Sequence, residues 1–347
     1  MSSTERLALG LIALLVALAG VSNYSSWAPL AAFGLATAAL ASLAWIVSFA
    51  TEQVGERYGA AATGMLQSTL GNLPELFVVL FALNAGEVVV AQTAIVGSVF
   101  ANALLVLGLV LVVGARAAPD GVMRFHSKLV NDTATLLLVC VFIIVLVGLS
   151  LGSGDRASHH VQAISVVAAI ALLAVYVAWA IDYVRRDAAP THGTPRVRLG
   201  VAAALLTVGG AASAFVSDWF INALAPSIHQ LHISQAFAGL VIVAIAGNAV
   251  ENVAGVVLAH RQRADLAISV VVNSVAQIAA FLFPLLVLIS LAFVTPLTFA
   301  LAPIYIGALA LTAIAVWQIT GDGIAHPFEG WALIATYAIL AVITLYE

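Results

Sequence analysis

The chain has 347 residues, of which 63% are hydrophobic and only 8% charged, with a mean hydropathy of +1.13 and a formal net charge of −4. Soluble domains carry about a quarter charged residues, so a water-solvated globule is excluded, and the slightly acidic balance gives no basis for nucleic-acid binding. The single cysteine, Cys140, leaves no disulfide framework and no cysteine metal site.

Apolar runs that reach the roughly 20 residues needed to cross a bilayer recur along the whole chain. In order, they predict helices near 7–23, 28–50, 62–83, 90–113, 133–150, 159–182, 199–221, 234–259, 267–291, 296–317 and 330–346. The expected fold class is an all-α polytopic membrane protein of about 11 transmembrane helices, with the lipid bilayer as its solvent. The run after Arg6 lacks a convincing cleavage site, so it reads as a helix rather than a signal peptide.

Short basic loops are retained in the cytoplasm. With alternating sides, the N-terminal side collects Arg6, Arg57, Arg116, Arg124, Lys128, Arg185, Arg186, Arg196, Arg198, Arg261 and Arg263, and only Arg156 falls opposite. The N-terminus is therefore expected in the cytoplasm and the C-terminus outside. With no targeting segment recognised, the inner (plasma) membrane of a prokaryote is the expected location.

A repeat relates the halves. Gly71-Asn72-Leu73-Pro74-Glu75 is echoed in the second half by Gly247-Asn248-Ala249-Val250-Glu251, and the displacement that carries Gly71 onto Gly247 also carries Ser98 onto Ser274. The domain plan that follows is an extra N-terminal helix in 1–27, a five-helix repeat in 28–184, a basic cytoplasmic linker in 185–198 and a second five-helix repeat in 199–347. An odd helix number inverts the second copy across the membrane, the plan of inverted-repeat transporters.

Of the sixteen acidic residues, only Glu75 and Glu251 sit near the centres of predicted spans. A carboxylate at the bilayer centre costs at least about 2.5–3.5 kcal/mol, so two symmetry-related examples point to function rather than packing. Helical spacing puts Ser68, Asn72 and Glu75 on one face, with Asn248, Glu251 and Asn252 as the counterpart. The following helices add Ser98 and Asn102, and Asn273, Ser274 and Gln277. Every group offers an oxygen, a hard ligand set suited to Ca²⁺. The candidate cation ligands are Glu75, Glu251, Asn72, Asn248, Ser98, Asn102, Ser274 and Gln277. Desolvation favours a protonated Glu and a bound cation favours the ionised form, so protons and cation compete for one site, and alternating access then gives antiport. No resident cofactor is expected, Ca²⁺ and H⁺ being cargo.

These segments resemble the calcium/proton exchanger family of the cation/calcium exchanger superfamily, whose repeats each carry a Gly-Asn-x-x-Glu signature. The resemblance extends through Gly64-Met65-Leu66-Gln67-Ser68-Thr69-Leu70, Gly97-Ser98, Asn102, Asp265-Leu266-Ala267-Ile268, Ser274 and Gln277. It implies one extra helix plus two inverted five-helix repeats, with Glu75 and Glu251 binding Ca²⁺ and exchanging protons. Two positions depart from the family pattern. Leu73-Pro74 replaces Ala-Thr, and Pro74-Glu75-Leu76 is similar to sodium/calcium exchangers. Asn252 stands where a His commonly follows the second Glu.

The competing transport reading is a sodium-coupled or broad-specificity monovalent cation exchanger. An intramembrane enzyme would need a metal site, dyad or activated nucleophile that the spans lack, and a channel would need residues ringing a pore. Glu52 and Asp218 lie at helix ends as candidate entrances, and the eight histidines fall in loops or span ends.

Overall fold

The computed structural model describes residues 3–25, 27–55, 70–152, 154, 156–186 and 196–347, without the side chains at 127–129, 151–152, 183–186, 250 and 251. The helices in chain order are α1 (Ser3–Tyr24), α2 (Pro29–Gly55), α3 (Leu73–Asn84), α4 (Val88–Ala117), α5 (Ser127–Gly152), α6 (Val161–Arg186), α7 (Leu199–Leu231), α8 (Gln235–Gly247), α9 (Ala249–His260), α10 (Ala264–Ala292), α11 (Pro303–Gly321) and α12 (Pro327–Leu345). Among the described residues nine helices are long and apolar enough to span a membrane, or ten if the bent pair α8 and α9 counts as one. The strands β1 (Met123–Arg124) and β2 (Ile324–Ala325) form one short antiparallel pair.

Two expected helices differ from the sequence reading near the signatures. Of the helix expected over 62–83, residues 62–69, with Ser68, lie outside the described residues; Leu70 and Gly71 are helical, Asn72 turns, and α3 runs on from Leu73. Pro74 is in the first turn of α3, where its missing N–H costs nothing but ends any helix running in from before. The helix expected over 234–259 is two, α8 and α9, bent by 58°. No proline acts there. Instead Asn248 leaves helical geometry at φ −103°, ψ 12°, and its Nδ2 donates to the Ala244 carbonyl at 2.9 Å, a side-chain bond that competes with the helix ladder.

The break is thus reached by two different chemistries, yet the backbones on either side correspond at the displacement that relates Gly71 to Gly247. The Leu76 N–H donates to Asn72 O at 2.9 Å, and the Asn252 N–H donates to Asn248 O at 3.0 Å. After the paired short helices, Gly86 and Gln262 both take positive φ, 81° and 58°. The Glu87 N–H then donates to Ala82 O at 2.8 Å, and the Arg263 N–H to Leu258 O at 3.0 Å, before α4 and α10 begin.

α4 and α10 are the most enclosed spans. A helix hydrophobic all round is a buried one, and most of each of these two is covered by its neighbours. Backbones meet where side chains are small, as membrane helix interfaces require. A Cβ on Gly97 of α4 would lie 2.5 Å from Leu240 Cα of α8, and one on Gly239 would meet Val90 O at 2.8 Å. Lower on α4, a Cβ on Gly108 would lie 2.7 Å from the Gly330 carbonyl of α12. At the periphery, α1 lays Gly20 beneath the Trp219 ring of α7, and Ile46 of α2 covers Gly209 of α7.

Loop contacts define two faces. On one, the Phe125 N–H donates to Gly323 O at 3.0 Å, the His126 N–H donates to Asp265 Oδ1 at 2.6 Å, and Gln262 Nε2 donates to Ala117 O. In the loop there, Arg124 bonds Asp120 and holds its carboxyl below the usual carboxylate range. On the other, Gln235 Nε2 donates to Glu87 Oε2 at 2.7 Å, and Ser234 Oγ donates to Thr344 O.

Candidate functional site

The helix breaks place a polar cluster in the apolar interior. Asn248, at the joint of α8 and α9, donates through Nδ2 to Ser98 Oγ of α4 at 3.0 Å. Asn102, one turn along α4, donates through Nδ2 to Asn248 Oδ1 at 3.3 Å and to Ser274 Oγ of α10 at 3.1 Å. Ser98, Asn102, Asn248 and Ser274 are all buried. Ser98 and Asn248, far apart along the chain, come within reach beside the place where α4 and α8 cross backbone to backbone at Gly97 and Gly239.

Glu75 is 2% exposed and third in α3, and Asn72, its neighbour at the break, is also buried. The first turn of a helix presents unsatisfied N–H groups and the positive dipole end, which favours a carboxylate there. Glu251 holds the same third position in α9, and its side chain lies outside the described residues. The two signatures meet: a Cβ on Gly247 would lie 3.7 Å from Glu75 Cβ, an ordinary contact. Gln277, one turn beyond Ser274, is buried, and its Oε1 has no hydrogen-bond partner among the described residues.

The structure therefore bonds Ser98, Asn102, Asn248 and Ser274 into one cluster, with Glu75 reached through Gly247. It also contains supports that the sequence reading missed. Ser217 of α7 donates to the Pro74 carbonyl at 3.4 Å, and Thr133 of α5 donates to Asn273 Oδ1 at 3.0 Å. Both are buried hydroxyls in apolar spans, a pattern too common in membrane helices to single them out by sequence. Glu52 lies 3.7 Å from the Arg196 guanidinium, and Asp218 accepts from Asn222 Nδ2 at 3.3 Å. A cavity of about 500 Å³ opens elsewhere, among Gln92, Ser234, Gln235, Tyr305 and Glu347, and among the described residues none of the candidate ligands lines it.

Broken apolar helices that meet around buried carboxylate, amide and hydroxyl groups define a polytopic α-helical membrane protein of the secondary-transporter class. The sodium/calcium exchanger protein family matches residues 28–181 and 201–346, and the chain belongs to that family. Within the cation/calcium exchanger superfamily, its similarity is to the calcium/proton exchanger branch. It is 29% identical over 344 residues to the Ca²⁺/H⁺ antiporter ChaA of Bacillus subtilis, covering 96% of this chain and 97% of that protein. It is also 29% identical over 344 residues to the vacuolar calcium ion transporter of Schizosaccharomyces pombe, covering 94% of this chain and 82% of that one. The solved structure of native YfkE matches with a TM-score of 0.83 at 26% identity, covering 98% of this chain and 100% of that one.

Proposed function

We propose that this chain is a Ca²⁺/H⁺ antiporter that exports Ca²⁺ in exchange for protons by alternating access at one midplane site built on Glu75 and Glu251. The observation that carries the reading is the duplicated break. Two Gly-Asn-x-x-Glu segments each start a half-helix whose third residue is a glutamate, and Gly247 of one rests on Glu75 of the other. Similarity to proteins named Ca²⁺/H⁺ antiporters supports the choice of ions.

In this reading Asn72, Asn248, Ser98, Asn102, Ser274 and Gln277 complete the ligand set with their oxygens, matching the hard, oxygen-rich preference of Ca²⁺. Two carboxylates neutralise one Ca²⁺, and when it leaves they are left desolvated, which favours taking up protons. The same oxygens then serve both ions, and simultaneous loading is disfavoured. No resident cofactor enters. The layout is α1 followed by two inverted five-helix repeats, 28–184 and 199–347, joined by 185–198, with 62–83 and 234–259 each a single crossing and the N-terminus cytoplasmic.

The test is ⁴⁵Ca²⁺ uptake into proteoliposomes under an imposed pH gradient, repeated with a Na⁺ gradient. Proton-driven flux that is lost in Glu75→Gln and Glu251→Gln is expected. Unchanged flux in both variants would sink the site, and flux driven only by Na⁺ would replace the coupling ion.

A further inference from the structure

Asn252 occupies a position where the duplicated segments diverge. Its counterpart in the first half is Leu76, so only the second half places an amide there. The Asn252 Oδ1 atom is buried and has no hydrogen-bond partner among the described residues. Buried amide oxygens are nearly always paired, because leaving one unpaired forfeits its hydration without return. An orphan oxygen next to a cation site is therefore a feature that needs a partner at some stage of the transport cycle.

Its direction follows from its neighbours. Asn248, Asn252 and Gly255 fall at i, i+4 and i+7 on α9, and the Asn252 N–H to Asn248 O bond keeps the helical stagger across the joint. Asn248 faces Ser98 and Asn102 of α4. A Cβ on Gly255 would lie 2.9 Å from Val271 of α10 and 3.3 Å from Val110 of α4. The stripe between them faces the α4–α10 groove. Asn252 lies on that stripe one turn beyond the polar cluster, towards the face where Ala117, His126, Gln262 and Gly323 meet.

Resting on the Ca²⁺/H⁺ reading above, we infer that Asn252 is a specificity-determining residue of the ion path, its amide oxygen receiving the cation between that loop face and the cluster at Asn248. Left without a partner among the described residues, the oxygen is available to a passing cation. Its role is affinity for the cation approaching from one side, and it has no counterpart in the first half, where Leu76 is apolar. The two sides of the exchanger are then chemically unequal although the helix breaks are duplicated.

The experiment compares wild type, Asn252→Leu and Asn252→Asp in proteoliposomes, measuring the half-saturating Ca²⁺ concentration and the maximal rate of proton-driven exchange, with thermal unfolding in detergent. Asn252→Leu is expected to raise half-saturation on the order of tenfold, the loss of one oxygen contact to a charge, while unfolding at a higher temperature because the orphan group is gone. Asn252→Asp keeps an oxygen and is expected to retain Ca²⁺ affinity while adding an ionisation to the pH profile. An Asn252→Leu protein with unchanged half-saturation overturns the inference. So does an Asn252→Asp protein as impaired as Asn252→Leu, since shape rather than oxygen would then matter. Wild type that carries no Ca²⁺ against protons overturns the functional reading and the inference with it, whereas a working wild type isolates the role of Asn252.

Discussion

Asn102 on α4 and Asn248 at the α8–α9 joint are bonded amide to amide at 3.3 Å, and this contact ties the first half of the chain to the helix break of the second. Asn102 also bonds Ser274, so a single side chain connects three helices around the candidate site.

That linkage predicts strong coupling. Asn102→Ala leaves Asn248 Oδ1 without this donor and is expected to cost about 1–3 kcal/mol. Combined with Asn248→Ala, the loss should fall short of additive by at least about 0.5 kcal/mol. Thermal or denaturant unfolding of the two single variants and the double variant in detergent measures it, and strict additivity would contradict the shared bond.

The α4–α8 crossing tolerates no side chain. Gly97→Ala would press a Cβ against the Leu240 main chain, which cannot rotate away, so overpacking of about 1–3 kcal/mol or more is expected. Gly307→Ala on α11 is the control, since nothing lies within 4 Å of its Cβ position. The first variant should lower Tm and transport together, and the second should change neither.

The turns after α3 and α9 hold positive φ at Gly86 and Gln262. Gly86→Ala meets nothing within 4 Å, so its cost is backbone strain alone, about 1–2 kcal/mol. Gln262→Gly relieves the same strain but gives up the bond to Ala117 O, and is expected to be near neutral. Comparing the two unfolding midpoints separates backbone strain from the loop contact.

Cation binding to the folded state should appear as stability. At about 100 times its Kd, Ca²⁺ is expected to add ~2.7 kcal/mol. Thermal unfolding with Ca²⁺, and again after chelation, should show the rise in wild type and its loss in Glu75→Gln. An equal rise in both would place the binding elsewhere.

Composition and run length determined the class. With so few charges and so many apolar runs, no solvent but lipid could receive this chain, and the rarity of mid-span acids made Glu75 and Glu251 visible without any structure. The common displacement of Gly71 to Gly247 and Ser98 to Ser274 was equally legible, since it is a property of the letters. The break at Asn248 was not. The segment 234–259 reads as one apolar helix, and Ala244 and Asn248 give no periodic signal that the Asn248 side chain will share the Ala244 carbonyl with the Asn248 N–H. Pro74 carries a local cause for its break in the missing N–H, yet the run 62–83 likewise reads as one helix. The partnership of Ser98, Asn102, Asn248 and Ser274 was decided only in three dimensions. Which oxygens face one another depends on how closely α4 and α8 approach, and that distance is set by Gly97 and Gly239, residues whose contribution is the absence of a side chain.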